Sequence, residues 1–73
     1  MLSKKEEQEI LNNIGERIRV LRIERGLSQF QLNVDADLSK NQLGRIERGE
    51  RNVKILTLYK IAKALQVEIS EIL

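Results

Sequence analysis

The feature that most constrains this chain is a pair of helix-start signals set so close together that only a tight helical corner fits between them. Ser28 and Ser39 stand eleven residues apart, and each is followed three positions later by glutamine, Gln31 and Gln42. In this spacing the serine oxygen takes the amide of the third helical residue, and the glutamine reaches back to the serine amide. The pattern predicts a helix of about two turns after Ser28, a corner at Asp37-Leu38, and a second helix of roughly nine residues from Ser39, stopped by Gly49. Two short helices joined by such a turn make a helix-turn-helix.

The second of these helices has two distinct faces. On a 3.6-residue period Leu43, Ile46 and Glu47 fall together, while Asn41, Gly44, Arg45 and Arg48 fall on the opposite side. One side is therefore apolar with a single inward acid, and the other is cationic with long hydrogen-bonding side chains. A helix of this width fits the DNA major groove and can present such side chains to base edges. A solvated surface helix has the same periodicity, so the pattern alone leaves both readings open.

The 73 residues hold no Cys, His, Pro or Trp. Disulfides, a Cys/His zinc site and His-based catalysis are thereby excluded. Net charge is only +2, which by itself does not argue for a nucleic-acid partner. Its placement says more. Between Ser39 and Lys60 stand six cations (Lys40, Arg45, Arg48, Arg51, Lys54, Lys60) and two acids (Glu47, Glu50). A local basic stretch beside a neutral remainder is the footprint expected of a nucleic-acid face. No apolar run approaches the ~20 residues of a membrane span, and no signal peptide is visible. The expected location is the cytoplasm, in association with the nucleoid.

Ser3 and Glu6 have capping-box spacing, which predicts a first helix from about Lys4 to just before Gly26, with Ile10, Ile14, Ile18 and Leu21 as its apolar line. Its front, residues 1–12, is rich in Lys, Glu and Gln and reads as a solvated helical extension. Arg22 leans to the core side of this helix and Glu47 to that of the reading helix. An unpaired buried charge is costly, so the two are expected to form an ion pair that orients the reading helix. The amides opening the helix after Ser28 suit a DNA phosphate, and Phe30, Leu32 and Ala36 are expected to pack. A fourth helix, about Lys54 to Leu65, would bury Ile55, Leu58, Ile61, Ala62 and Leu65, with Asn52 available as its cap. A last short helix spans roughly Glu68 to Ile72.

Residues 14–73 resemble the phage-repressor (Cro/cI-type, XRE) helix-turn-helix family over nearly their whole length. The landmarks are Ile14-Gly15, Arg17-Ile18-Arg19, Leu21-Arg22, Gly26-Leu27-Ser28-Gln29, Leu32, Ala36 and Leu38-Ser39. They continue through Ile46-Glu47-Arg48-Gly49-Glu50-Arg51-Asn52, Thr57-Leu58, Lys60-Ile61-Ala62, Ala64-Leu65 and Val67. The resemblance implies an all-α, five-helix, lambda-repressor-like domain, here a single domain over 1–73, that binds operator DNA as a dimer. It implies the Arg22–Glu47 pair, and a Gln29 that contacts the DNA backbone and steadies the reading helix. Asn33 stands where the family usually has Ala, Asp37 where it has Gly, Val53-Lys54 where it often has Pro-Ser, and Gln66 where it often has Gly. The changes at Asn33 and Asp37 suggest a weaker fold.

By position, Lys40, Asn41 and Arg45 would then face the groove, with Ser39 and Gln42 at its edge. Arg suits guanine and Asn suits adenine. Arg48, Arg51 and Asn52 sit better for phosphates, and Gly44 would let the backbone approach DNA. Leu56, Tyr59, Val67, Ile69, Ile72 and Leu73 offer more apolar surface than one small core can hide, which argues for a symmetric dimer interface. The expected function is a homodimeric, sequence-specific transcriptional regulator on double-stranded operator DNA, either a phage-type repressor or a controller protein of a restriction-modification system. No cofactor, metal, small-molecule ligand or membrane partner is expected. The main rival is a protein-interaction module such as the antitoxin of a toxin pair. An enzyme is disfavoured, because no base, metal site or phosphate-cradling glycine loop is present.

Overall fold

The N-terminal helix sets the frame. In the computed structural model, which describes residues 1–73, α1 runs Lys4–Glu24. Its capping box is complete: the Glu6 amide donates to Ser3 Oγ at 3.1 Å and the Ser3 amide donates to the Glu6 carboxylate at 2.9 Å. Those bonds hold the Glu6 carboxyl below its usual pKa, the Ser3 amide contributing most. The cap is therefore intact above the ordinary carboxylate range and is lost as pH falls through the lowered value. After α1 come α2, Gln29–Asp35, α3, Gln42–Glu47, and α4, Ile55–Leu65, followed by a single 3-10 turn, Ile69–Glu71. The molecule thus has four α-helices rather than five. The expected fifth is only three residues long, too few to close a run of i→i−4 bonds.

One apolar cluster joins every helix. α1 gives Ile18, α2 gives Leu32, α3 gives Leu43 and Ile46, and α4 gives Leu58, Ile61, Ala62 and Leu65. Ala36 closes the α2 end, and Ile72 plugs the cluster from beyond the 3-10 turn with no exposed surface. Three side chains expected inside are largely outside: Ile10, Ile55 and Phe30, the last 77% exposed. Phe30 and Ile55 lie in the first turns of short helices whose buried stripes pass to the other side, through Leu32 and Leu58. Ile10 lies a full turn before α1 reaches the body of the core. The chain-end devices also differ from expectation. Asn52 does not cap α4; Lys54 holds that position without a side-chain bond. α4 ends with Gln66 itself in the left-handed region, φ 60°, a conformation that costs a non-glycine residue energy.

α1 crosses α3 very closely, and Gly15 is the reason it can. A Cβ at Gly15 would lie 2.5 Å from the Ile46 carbonyl oxygen and 2.6 Å from that of Glu47. The two helices therefore meet backbone to backbone. Just beyond this crossing, Arg22 and Glu47 are paired through two bonds, Nε to Oε2 at 2.7 Å and Nη2 to Oε1 at 3.1 Å. The Glu47 side chain retains 2% of its surface and that of Arg22 12%. Arg22 Nη1 also donates to the Leu27 carbonyl at 2.9 Å, and Gln29 Nε2 donates to Glu47 Oε1 at 3.0 Å. One carboxylate thus ties α3 to α1 and α2 together.

The front of α1 is not wholly solvated. Gln8 Nε2 donates to the Gly49 carbonyl at 2.8 Å and to Asn12 Oδ1 at 2.9 Å. Gly49 has φ +73°, and Asn12 Oδ1 occupies the space a Cβ there would need. The N-terminal extension therefore buttresses the turn that ends α3.

Two stability measurements check this frame. Ala in place of Gly normally favours a helix by about 1 kcal/mol. Gly15→Ala is expected to reverse that sign and destabilise by about 1–3 kcal/mol, because carbonyls cannot step aside as side chains do; a raised midpoint in urea unfolding would contradict the close crossing. Glu47→Ala strands the Arg22 guanidinium and should cost about 3–5 kcal/mol, while Arg22→Met combined with Glu47→Leu should recover most of the loss. Thermal unfolding of the three variants reads this, and equal losses for single and double variants would contradict the coupling.

Candidate nucleic-acid interface

α2 and α3 meet across a corner built by two non-glycine residues in the left-handed region. Asp37, at φ 55°, turns the chain out of α2, while the Leu38 amide returns to the Asn33 carbonyl at 2.9 Å. Asn41, at φ 64°, turns it into α3. Asn enters this region more readily than most non-glycine residues.

The two serine signals fare differently. At Ser28 both bonds of the capping box form, 3.0 Å each. At Ser39 only the return bond forms: the Ser39 amide donates to Gln42 Oε1 at 3.1 Å, and Ser39 Oγ donates to the same oxygen. The Gln42 amide instead closes a turn onto the Ser39 carbonyl at 3.1 Å. α3 therefore starts at Gln42, and it has six residues rather than the roughly nine expected. Lys40 and Asn41 belong to the turn before the helix.

The missing cap is supplied by a residue the sequence did not single out for that job. The Leu43 amide, free at the N-terminus of α3, donates to Asn33 Oδ1 at 3.0 Å. Asn33 Nδ2 donates in turn to the Ser39 carbonyl at 2.8 Å. Asn33 thus spans the turn from one end to the other. Where the family usually has alanine, this side chain braces the turn. The signal available in the sequence was only a carboxamide two residues before the end of α2.

Lys40, Asn41, Arg45 and Arg48 are all exposed, and Gln42 is half-buried. Behind them Leu43, Ile46 and Glu47 are buried. The outward residues and the outer side of α2 border one open groove of about 640 Å³, whose floor includes Leu38 and Gly44. Gly44 does not lie bare on this face. Its Cβ position is approached by Arg48 Nη1 at 3.2 Å and Gln29 Oε1 at 3.4 Å, so two side chains cover it. The opening that the sequence suggested for a DNA backbone at Gly44 is therefore filled in this state.

Gln29 has its carboxamide engaged by Glu47, which places it as a strut behind α3, while its own amide stands in the first turn of α2. Arg48 folds back onto Glu50, Nε to Oε2 at 2.5 Å. This hydrogen bond is the main cause that lowers the Glu50 carboxyl pKa, and it raises that of Arg48. Arg51 and Asn52 are exposed in the connection to α4. The basic residues thus flank the α3 outer face from its N-terminal turn to the loop beyond it.

The residues expected at a dimer interface divide. Leu56, Tyr59 and Leu73 are exposed, and Val67 and Ile69 are half-buried against the core. Ile72 is fully buried within its own subunit and cannot serve as a contact to another. The reason is the tight 3-10 turn, which swings Ile72 back under α4 while Leu73 stays outside.

Residues 18–72 match the helix-turn-helix family model. The chain is 42% identical over 59 residues to the immunity repressor protein of Bacillus phage phi105, covering 81% of this chain and 41% of the repressor. It is 37% identical over 67 residues to control protein C.BamHI of Bacillus amyloliquefaciens, covering 85% of this chain and 83% of that protein. Among solved structures it is similar to the restriction-modification controller protein C.AhdI of Aeromonas hydrophila, with a TM-score of 0.84 and 40% identity over 86% of this chain and 96% of that one. The all-helical fold agrees with the last likeness, and the chain belongs to the helix-turn-helix family of phage-repressor (XRE) type.

Proposed function

We propose that this protein is a sequence-specific DNA-binding transcriptional regulator that acts as a homodimer on operator DNA. The observation that carries the reading is the split of α3 and its leading turn. Leu43, Ile46 and Glu47 are locked inward, while Lys40, Asn41 and Arg45 project outward from an element narrow enough for the major groove. In the proposed complex Arg45 and Asn41 read base edges, Lys40 supports them, and Ser39 and Gln42 line the rim. Gln29, through its first-turn amide, and Arg48, Arg51 and Asn52 take phosphates, which fix register without choosing sequence. Arg48 is held by an exposed pair with Glu50, and such pairs are weak enough for a phosphate to displace.

The dimer is proposed along the outer side of α4 and the chain end, through Leu56, Tyr59, Val67, Ile69 and Leu73. Two-fold symmetry there would set the two reading elements about 34 Å apart, one helical turn of DNA. The relatives include a phage immunity repressor, of which the chain spans less than half, and a control protein, of which it spans most. Within the proposed class the second likeness favours control of restriction-modification genes.

Selection of duplexes from a random-sequence pool, followed by gel shift across salt concentrations, tests the reading. A defined site is expected, with log K falling steeply against log salt at about 0.9 per phosphate contacted; no enrichment over the starting pool would refute it. Arg45→Ala should cost about 1–3 kcal/mol on the selected site and relax choice at one base pair. Arg51→Ala should weaken all duplexes alike and lower the salt slope by about one. Leu56→Asp should yield a folded monomer in sedimentation, because Leu56 is already exposed in the single subunit; an intact dimer would place the interface elsewhere.

A further inference from the structure

We propose that Asn33 on α2 is a positioning residue for base recognition, and that the Ser39–Leu43 turn it clamps is a reading unit in its own right. The inference rests on the DNA-binding reading above and deepens it. A residue on a straight helix is aimed by the i→i−4 ladder. Lys40 lies outside α3, and Asn41 meets the ladder only through its carbonyl, which accepts the Arg45 amide at 3.4 Å. Asn41 stands at φ 64° and makes no capping bond with its side chain. Its direction, and that of Lys40, follow from the backbone of the turn alone.

Asn33 gives that backbone two anchors from outside the turn, both from one carboxamide. Asn33 Nδ2 holds the Ser39 carbonyl before the turn at 2.8 Å, and Asn33 Oδ1 holds the Leu43 amide after it at 3.0 Å. The carboxamide uses a donor at one end and an acceptor at the other, a pairing that an alanine cannot make and a carboxylate can make only in half. The other bonds of the turn are Gln42 Oε1 on the Ser39 amide and hydroxyl and the Gln42 amide on the Ser39 carbonyl, all internal to it, and the Arg45 amide on the Asn41 carbonyl, which ties its end to α3 but not its start. Arg45 is placed differently. It projects from the second turn of α3, whose back is fixed by Leu43, Ile46 and Glu47. The contributions of the turn and of the helix to sequence choice are therefore separable, and Asn33 governs only the first.

The experiment is a set of parallel selections from a random duplex pool with the full chain and with Asn33→Ala, Asn33→Asp, Lys40→Ala, Asn41→Gly and Arg45→Ala. Circular dichroism and thermal unfolding confirm folding of each. The Lys40→Ala and Asn41→Gly selections assign the base pairs read from the turn, and Arg45→Ala assigns those read from the helix. Asn33→Ala is expected to lose preference at the turn-read pairs by roughly tenfold and to keep it at the helix-read pair. Asn33→Asp, which retains the Leu43 bond, should fall between; it decides the matter if the alanine variant does not fold. Equal loss at every position, or none, overturns the inference and leaves Asn33 a purely structural residue. If the unaltered chain enriches no sequence, the DNA-binding reading fails and this inference falls with it.

Discussion

The Glu47 carboxylate holds this structure's outer face in place. It accepts two bonds from Arg22 on α1 and one from Gln29 on α2, and it sits at the last residue of a helix only six residues long. A helix that short has no stability of its own in water, since nucleation costs more than so few backbone bonds return. α3 exists because its surroundings impose it: Leu43 and Ile46 sink into the core, Gly15 lets α1 press against its final carbonyls, and Gly49 turns the chain away under the grip of Gln8. The ion pair adds direction to that list. Apolar contacts tolerate a helix that rolls, whereas a bidentate guanidinium bond does not, and roll is what decides where Arg45 points.

The parts of this arrangement legible in the sequence were those whose signals are local or whose partners are chemically forced. Three of the serine-based caps are a matter of three-residue spacing, and two of them form in full. The helical stripes of α1 and α4 follow from periodicity. Arg22 and Glu47 found each other on paper because two inward charges of opposite sign have few other choices. What stayed hidden depends on contacts that spacing does not encode. Asn33 reaches ten residues along the chain to the Leu43 amide and six to the Ser39 carbonyl, while the Gln42 amide that Ser39 was expected to cap closes onto the Ser39 carbonyl instead. Gln8 meets Gly49 from 41 residues away. Phe30 is apolar by type but turned outward in a helix of seven residues, too short for periodicity to fix its phase, and Ile55 stands exposed as the first residue of α4.

These hidden contacts have a common effect, which is to rigidify turns instead of filling the core. Asp37, Asn41 and Gln66 all stand in the left-handed region without being glycine, each at some cost in free energy. Two of the three flank the α2–α3 corner, where the proposed reading residues begin. The first turn is paired through the Leu38 amide, and the second is clamped by Asn33. A flexible glycine corner would place the same side chains near DNA but would lose more entropy on binding.

Size sets the remaining condition on function. The outward reading set on one subunit is small, with Arg45 and Asn41 as its best hydrogen-bonding members. Each good base contact discriminates by about 1–3 kcal/mol, whereas specific sites are typically about 4–10 kcal/mol better than random DNA. Two such contacts on one subunit give about 2–6 kcal/mol, at the low end of that range, and two copies of the face give about 4–12. In the proposed dimer, the apolar residues left exposed on the outer side of α4 are the means of doubling. In that arrangement the surface that looks least related to DNA recognition supplies as much of its selectivity as the turn and helix that touch the bases.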